Sequence, residues 1–176
     1  MRMTQLRRTG LLPALLALAG CSSAPTVPHV AKVDLQRFMG DWYVIANIPT
    51  PFEKGAHNAV ESYRLDTDGS IATTFTYRED SFDGPKRVMR PRGFVRDADS
   101  NAIWAMQFIW PIKSEYVIAH VDAAYSETII ARSKRDYVWI MARRPALAPE
   151  EYARLAQRVQ ALGYDIDELQ KVPQRW

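Results

Sequence analysis

Cys21 is the only cysteine of the 176-residue chain, so its thiol has no intrachain disulfide partner and is left for acylation or nucleophilic attack. The other polar pair at a useful spacing is His120 and Asp122. Two apart on an extended stretch, they share one face, the minimum for a general base and the acid that orients it. Nothing else supports catalysis. The chain carries no G-x-S-x-G, no P-loop and no H-E-x-x-H. Two such neighbours usually form a structural hydrogen-bonded pair, so a small esterase-like enzyme is the rival reading and a non-enzyme the expectation. A haem or small-pigment carrier would need His57 or His120 facing inward as an iron ligand, and the sequence shows no His pair at an evident site. We expect no catalytic residue, no metal site and no cofactor.

The flanks of Cys21 decide its chemistry. Arg2, Arg7 and Arg8 precede an apolar run from Leu11 to Ala19 that ends in small residues, the order of a secretory signal. The run is far shorter than the roughly 20 residues of a spanning helix. Leu18-Ala19-Gly20-Cys21 resembles a bacterial lipobox, which implies cleavage before Cys21 and acylation of the new N-terminus. Two or more acyl chains anchor a protein stably, at about 0.8 kcal/mol per buried methylene. Ser22 after the cysteine points, by the sorting rule of such lipoproteins, to the outer membrane, periplasmic face. The expected division is residues 1–20 as signal peptide, 21–33 as lipidated N-terminus and tether, and 34–176 as one domain. The tether, "SSAPTVPHVAK", contains prolines and lacks apolar periodicity, so it reads as extended and partly disordered.

Cleavage also removes the charge argument for nucleic acid. The chain is formally +3, and the three arginines of the leader account for all of it. The remainder is balanced, with no basic block and no basic-aromatic stripe.

From Asp41 onward, short runs rich in β-branched and aromatic residues alternate with turn residues. They are "DWYVIANI", "HNAVESYRL", "SIATTFTYR", "KRVMRPRGFVR", "NAIWAMQFIW", "EYVIAHV", "SETIIARS" and "DYVWIMAR". Asp68-Gly69 between two of them is the strongest hairpin signal. Eight short-linked strands favour an antiparallel meander, and closing it into an up-and-down barrel removes the exposed edges. A two-sheet sandwich would show the same pattern. One helix follows, with Tyr152, Leu155, Val159 and Leu162 on one stripe, Pro149 in the first turn and Gly163 at the C-terminal cap. It reads as a buttress packed outside the sheet.

Phe38, Gly40, Trp42 and Tyr43 form F-x-G-x-W-Y at the start of the first strand and resemble the first conserved region of lipocalins. "HVDAAYSETII" resembles the second, with Asp122 at its aspartate and Tyr125 three residues on; "YVWIMARRP" resembles the third, with Arg143 at its arginine. The three occur in order across residues 34–175, and the likeness is closest to the bacterial outer-membrane lipocalins and the apolipoprotein D-like group. Val121 and Ala123 depart from the usual Thr and Tyr, which should weaken hydrogen bonding in that turn. The resemblance implies an all-β, eight-stranded lipocalin barrel. In it Trp42 lies across the closed end beneath Arg143, a structural rather than ligand-binding role for the signature residues Gly40, Trp42, Asp122, Tyr125 and Arg143.

A barrel of this size holds one small ligand. Candidate lining residues are Phe75, Tyr77, Trp104, Met106, Phe108, Trp110, Tyr116, Trp139 and Met141, all read as strand residues, with inward parity left open. Together they suit an acyl chain, for which about 16 carbons give on the order of 12 kcal/mol of gross burial before ordering costs. His57, Lys113, Glu115 and Tyr116 are the polar residues placed to meet a head group. The expected function is a lipid-anchored outer-membrane protein that binds, stores or transports fatty acids or lysophospholipids for envelope maintenance. A scaffold whose barrel is packed solid is the third alternative.

Overall fold

The alternating runs fold into strands β1 (Gly40–Ile48), β2 (Ala56–Leu65), β3 (Ile71–Glu79), β4 (Lys86–Met89), β5 (Arg92–Val95), β6 (Ile103–Ile109), β7 (Ile112–Val121), β8 (Glu127–Ala131) and β9 (Val138–Ala142). A short helix α1 (Leu35–Phe38) leads in; helix α2 (Pro149–Ala161) and strand β10 (Gln170–Lys171) follow. These elements are seen in a computed structural model that describes residues 26–176; the leader and Cys21 lie outside the described residues. Each barrel strand pairs antiparallel with the next, and β9 returns to β1, Tyr43 opposite Ala142 and Ile48 opposite Val138, which closes the sheet. The barrel has eight staves because β4 and β5 are one strand interrupted at Pro91. Proline has no N–H for the ladder, and its carbonyl instead accepts from Thr73 N–H at 3.1 Å.

Closure sorts the side chains into two cores. The interior one contains Phe38, Trp42, Val44, Ala59, Tyr63, Ile71, Phe75, Tyr77, Trp104, Met106, Tyr116, Ile118, Ile130 and Met141. The exterior one joins Ile45, Ala46, Val117, Ile129, Val138 and Ile140 to Leu155 and Val159 of α2. Helix α2 is therefore the expected buttress. Its Glu151 carboxylate accepts from the Ala148 N–H at 2.8 Å, and Gly163 takes φ +91° just beyond its end.

The segment read as a free tether is ordered from Thr26 onward. Val27 and Val33 are buried, and three backbone N–H groups are held by the barrel: Val27 by Ser133 Oγ (3.1 Å), Val30 by the Ile118 carbonyl (3.1 Å) and Val33 by the Ser100 carbonyl (2.7 Å). Single valines at wide spacing suffice here because the wall supplies the apolar surface. The segment runs from the end carrying the 49–55, 80–85, 110–111 and 132–137 links to the end carrying Trp42.

Strands β1 and β2 pair only over Gly40–Tyr43, and beyond that β1 bulges between Val44 and Ala46 in its pairing with β9. The later chain fills the gap. β10 pairs with Ala46 and Asn47, Gln174 Nε2 donates to the Val44 and Ala59 carbonyls, and Asn58 exchanges two hydrogen bonds with Arg175.

Candidate functional site

One end of the barrel is sealed. Trp42 is fully buried, donates its indole N–H to the Phe38 carbonyl at 2.8 Å, and has Phe38 at 5.0 Å between ring centres. Arg143 lies over it at 3.8 Å and donates to the carbonyls of Arg37, Phe38, Met39, Asp41 and Tyr125. Gly40 permits this approach: its φ is +94°, and a Cβ there would stand 3.3 Å from the Arg143 guanidinium. The turn after β7 is held by Asp122, whose carboxylate accepts from Ser126 N–H, Ser126 Oγ and Glu127 N–H. Thus the substitutions at Val121 and Ala123 do not leave that turn poorly bonded. Tyr125 occupies φ +58°, accepts the Asp34 N–H at 2.7 Å and stacks on Arg37 at 4.2 Å.

Above this plug a cavity of about 320 Å³ opens between the 49–55 and 132–137 links and the end of β6. Of the candidate residues, Phe75, Met106, Phe108, Tyr116, Trp139 and Met141 line it. Trp104 and Tyr77 are buried in the interior core without lining it: Trp104 stacks on Tyr116 at 5.3 Å and packs on Phe38, and Tyr77 packs on Phe75 and donates to the Phe52 carbonyl. Trp110 is not a lining residue. The strand ends at Ile109, so Trp110 falls in the turn and is 83% exposed.

The expected head-group residues are dispersed. His57 bonds to the Gly55 carbonyl and meets Phe82 edge-on, and Lys113 sits over the Phe94 ring. Glu115 lines the cavity, but both its oxygens are occupied by Ser133. Tyr116 lines it as well, and its hydroxyl belongs to the floor described next. His120 stands outside the barrel, in a small recess with Arg158, Ala161 and Leu162 of the helix side. Burial, with Arg158 and Arg154 nearby, lowers its basicity. The Asp122 carboxylate is spent on its own turn, so the two residues form no catalytic pair. Neither His57 nor His120 lines the cavity.

Three charged residues that line the cavity, Glu61, Glu53 and Arg132, are not among those expected from the sequence. Glu61 projects from β2 and is only 9% exposed; its Oε2 accepts the Tyr63 hydroxyl, which is itself bonded to the Tyr116 hydroxyl. Burial pushes the Glu61 carboxyl up to about 7, the Tyr63 hydrogen bond offsetting only part, with Glu53 adding repulsion. Burial also raises Glu53, against hydrogen bonds from Thr50 N–H and Trp139 Nε1–H. Arg132, in the link between β8 and β9, lines the cavity; it pairs with Asp136 at 3.4 Å and lies over the Tyr137 ring, and its buried Nε has no hydrogen-bond partner among the described residues. The signal for Glu61 was present: Ala59, Glu61 and Tyr63 share one parity on β2, and a charge inside such a series marks an inward polar position. Arg132 and Glu53 sit in links, where no periodicity points inward.

The Lipocalin-like domain family matches residues 33–174. The chain belongs to the lipocalin family. The lipocalin is 29% identical to temperature-induced lipocalin-1 of Arabidopsis thaliana over 82% of this chain and 81% of that one. It is 27% identical to the outer membrane lipoprotein Blc of Escherichia coli K12 over 87% and 88%, and 28% identical to apolipoprotein D of Bos taurus over 90% of each. Among solved structures, insecticyanin from the tobacco hornworm Manduca sexta superposes with a TM-score of 0.67 at 16% identity over 85% of both chains. Lobster apocrustacyanin A1 gives 0.64 at 14%, covering 86% of the lipocalin and 92% of that chain. Membership makes this lipocalin a binder of small hydrophobic ligands, and the cavity lies at the low end of the range that holds them.

Proposed function

We propose that this lipocalin is anchored to the outer membrane through acylated Cys21 after loss of residues 1–20. There it binds, stores or transports fatty acids or lysophospholipids for maintenance of the envelope. The observation that carries the reading is the apolar, aromatic and Met-rich cavity, which suits an acyl chain: Phe75, Met89, Met106, Trp139 and Met141 line it. Arg132 at its open end, held by Asp136 at 3.4 Å, presents a cation to a carboxylate or phosphate head group. The relatives named as outer membrane lipoprotein Blc, in Escherichia coli and Vibrio cholerae, support the compartment.

Orientation follows from the segment along the wall. Val27 is held at Ser133, in a link at the open end, so the described chain begins beside the cavity mouth. The residues between Cys21 and Thr26 reach at most about 17 Å when extended. At the same end Phe52, Phe108, Ile109, Trp110 and Ile112 are exposed. An anchor and an apolar rim on one side turn the mouth toward the periplasmic face of the bilayer, which supplies the ligand. The test is native mass spectrometry of delipidated protein mixed with lysophospholipid: a one-to-one adduct at micromolar concentration is expected, and no adduct overturns the reading.

A further inference from the structure

The cavity floor is polar in one place. Glu61 Oε2 is taken by Tyr63, whereas Oε1 accepts no hydrogen bond among the described residues. Because the single Tyr63 proton goes to Glu61, the proton of the Tyr63–Tyr116 bond comes from Tyr116. Two acceptor positions therefore remain on the floor, Glu61 Oε1 and Tyr116 Oη, in a cavity whose nearby walls are Phe75, Met106 and Met141.

The leading tip of a ligand meets these two atoms. A methyl tip expels solvent from Oε1 and returns no hydrogen bond. A carboxylate tip brings a third acid to a place where Glu53 and Glu61 already repel one another. An ammonium tip brings three donors to the two floor acceptors and gives up its hydration beside Phe75, Met106 and Met141. A hydroxyl tip fits: it donates to a carboxylate and accepts from a carboxylic acid, so it pairs with Glu61 in either protonation state.

We propose that Glu61 and Tyr116 form a hydroxyl-recognition subsite, and that the preferred ligand is an apolar chain or ring bearing a hydroxyl at the end that enters first. Tyr63 is a positioning residue that holds both partners. The subsite rests on the lipid-cavity reading above and sharpens it: an anionic head stays at Arg132, and the far end carries the hydroxyl. A site built to pair with a hydroxyl discriminates strongly against the analogue that lacks it.

The test uses the mature chain from residue 21 carrying Cys21→Ser, which cannot be acylated, with laurate and ω-hydroxylaurate as probes in isothermal titration calorimetry. The two share a carboxylate and differ at the far end. Expected is about tenfold tighter binding of the hydroxylated probe. Glu61→Leu should abolish or invert that ratio, Glu61→Gln should keep it, and Tyr116→Phe should reduce it without touching the carboxyl. If Glu61→Leu fails to fold, the wild-type ratio and Tyr116→Phe decide. Equal affinities, or tighter laurate binding by the wild type, overturn the subsite while leaving the lipid cavity in place. Binding of neither probe removes both.

Discussion

Arg143 sits with its guanidinium 3.8 Å from the centre of the Trp42 ring, joining the last barrel stave to the first. The same guanidinium caps the carbonyls that α1 leaves open at Arg37, Phe38 and Met39. One side chain thus closes the barrel, seals its floor and ends a helix.

Arg143→Ala should lower unfolding stability by about 2–4 kcal/mol, since it forfeits the cation–π contact and removes the donor from several carbonyls, three of them partly buried. Arg143→Lys should recover less than half, because an ammonium lacks the planar fork that reaches five carbonyls. Equilibrium urea unfolding of the three proteins measures this, and equal midpoints for Arg143→Ala and wild type would refute it.

The contribution of Glu61 to stability should fall as pH rises from about 5 to 8. Burial lifts Glu61 from 4.5 to about 7, and Glu53 moves in the same direction. Below 4.5 the carboxyl is neutral in both states. Between the two values the unfolded chain releases the proton and the native one keeps it, so rising pH favours unfolding. Glu61→Gln should therefore match wild type near pH 5 and exceed it at pH 8 by about 2 kcal/mol. Thermal melts of both proteins at the two pH values decide it, and a Glu61→Gln advantage that does not grow toward pH 8 contradicts the assignment, since the wild-type trend alone also carries the opposite contribution of half-buried His120.

Replacing Ile109 and Trp110 together with Ser should change stability by no more than about 0.5 kcal/mol, because both project into solvent. In the same Cys21→Ser background, co-sedimentation with phosphatidylethanolamine–phosphatidylglycerol vesicles should drop by about tenfold if the rim meets lipid. Unchanged sedimentation would detach the rim from the membrane.

Cys21→Ser in the full-length protein should move it from the membrane to the soluble fraction and abolish labelling with radioactive palmitate. Persistent labelling would place the acyl chains elsewhere.

The fold was readable because its physics is local. Alternating residues such as Ile71, Thr73, Phe75 and Tyr77, bounded by turns such as Asp68-Gly69, specify staves of an antiparallel sheet without reference to distant chain. The helix stripe through Leu155 and Val159 was equally local. The cavity was legible in its aromatic and Met lining but not in its chemistry. Glu61 was passed over because the lining was sought among aromatic and Met residues, although its neighbours two residues away, Ala59 and Tyr63, belong to the interior core. Glu53 and Arg132 are turned inward by link geometry, which no period encodes. Trp110 failed for the opposite reason: a strand one residue shorter than its apolar run leaves the tip outside. The order of residues 27–33 comes from contacts with β7 and the links around it, made by chain about 70 to 110 residues away.

The stitching of residues 170–175 into the gap between β1 and β2 sets a schedule for maturation. Gln174 bonds to Val44 across 130 residues of chain, so the first stave waits unpaired along that edge until nearly all the rest has been synthesised and released. A ring that cannot be completed early stays threadable. For the proposed export and anchoring, this means a chain that can cross open and form its vessel afterwards.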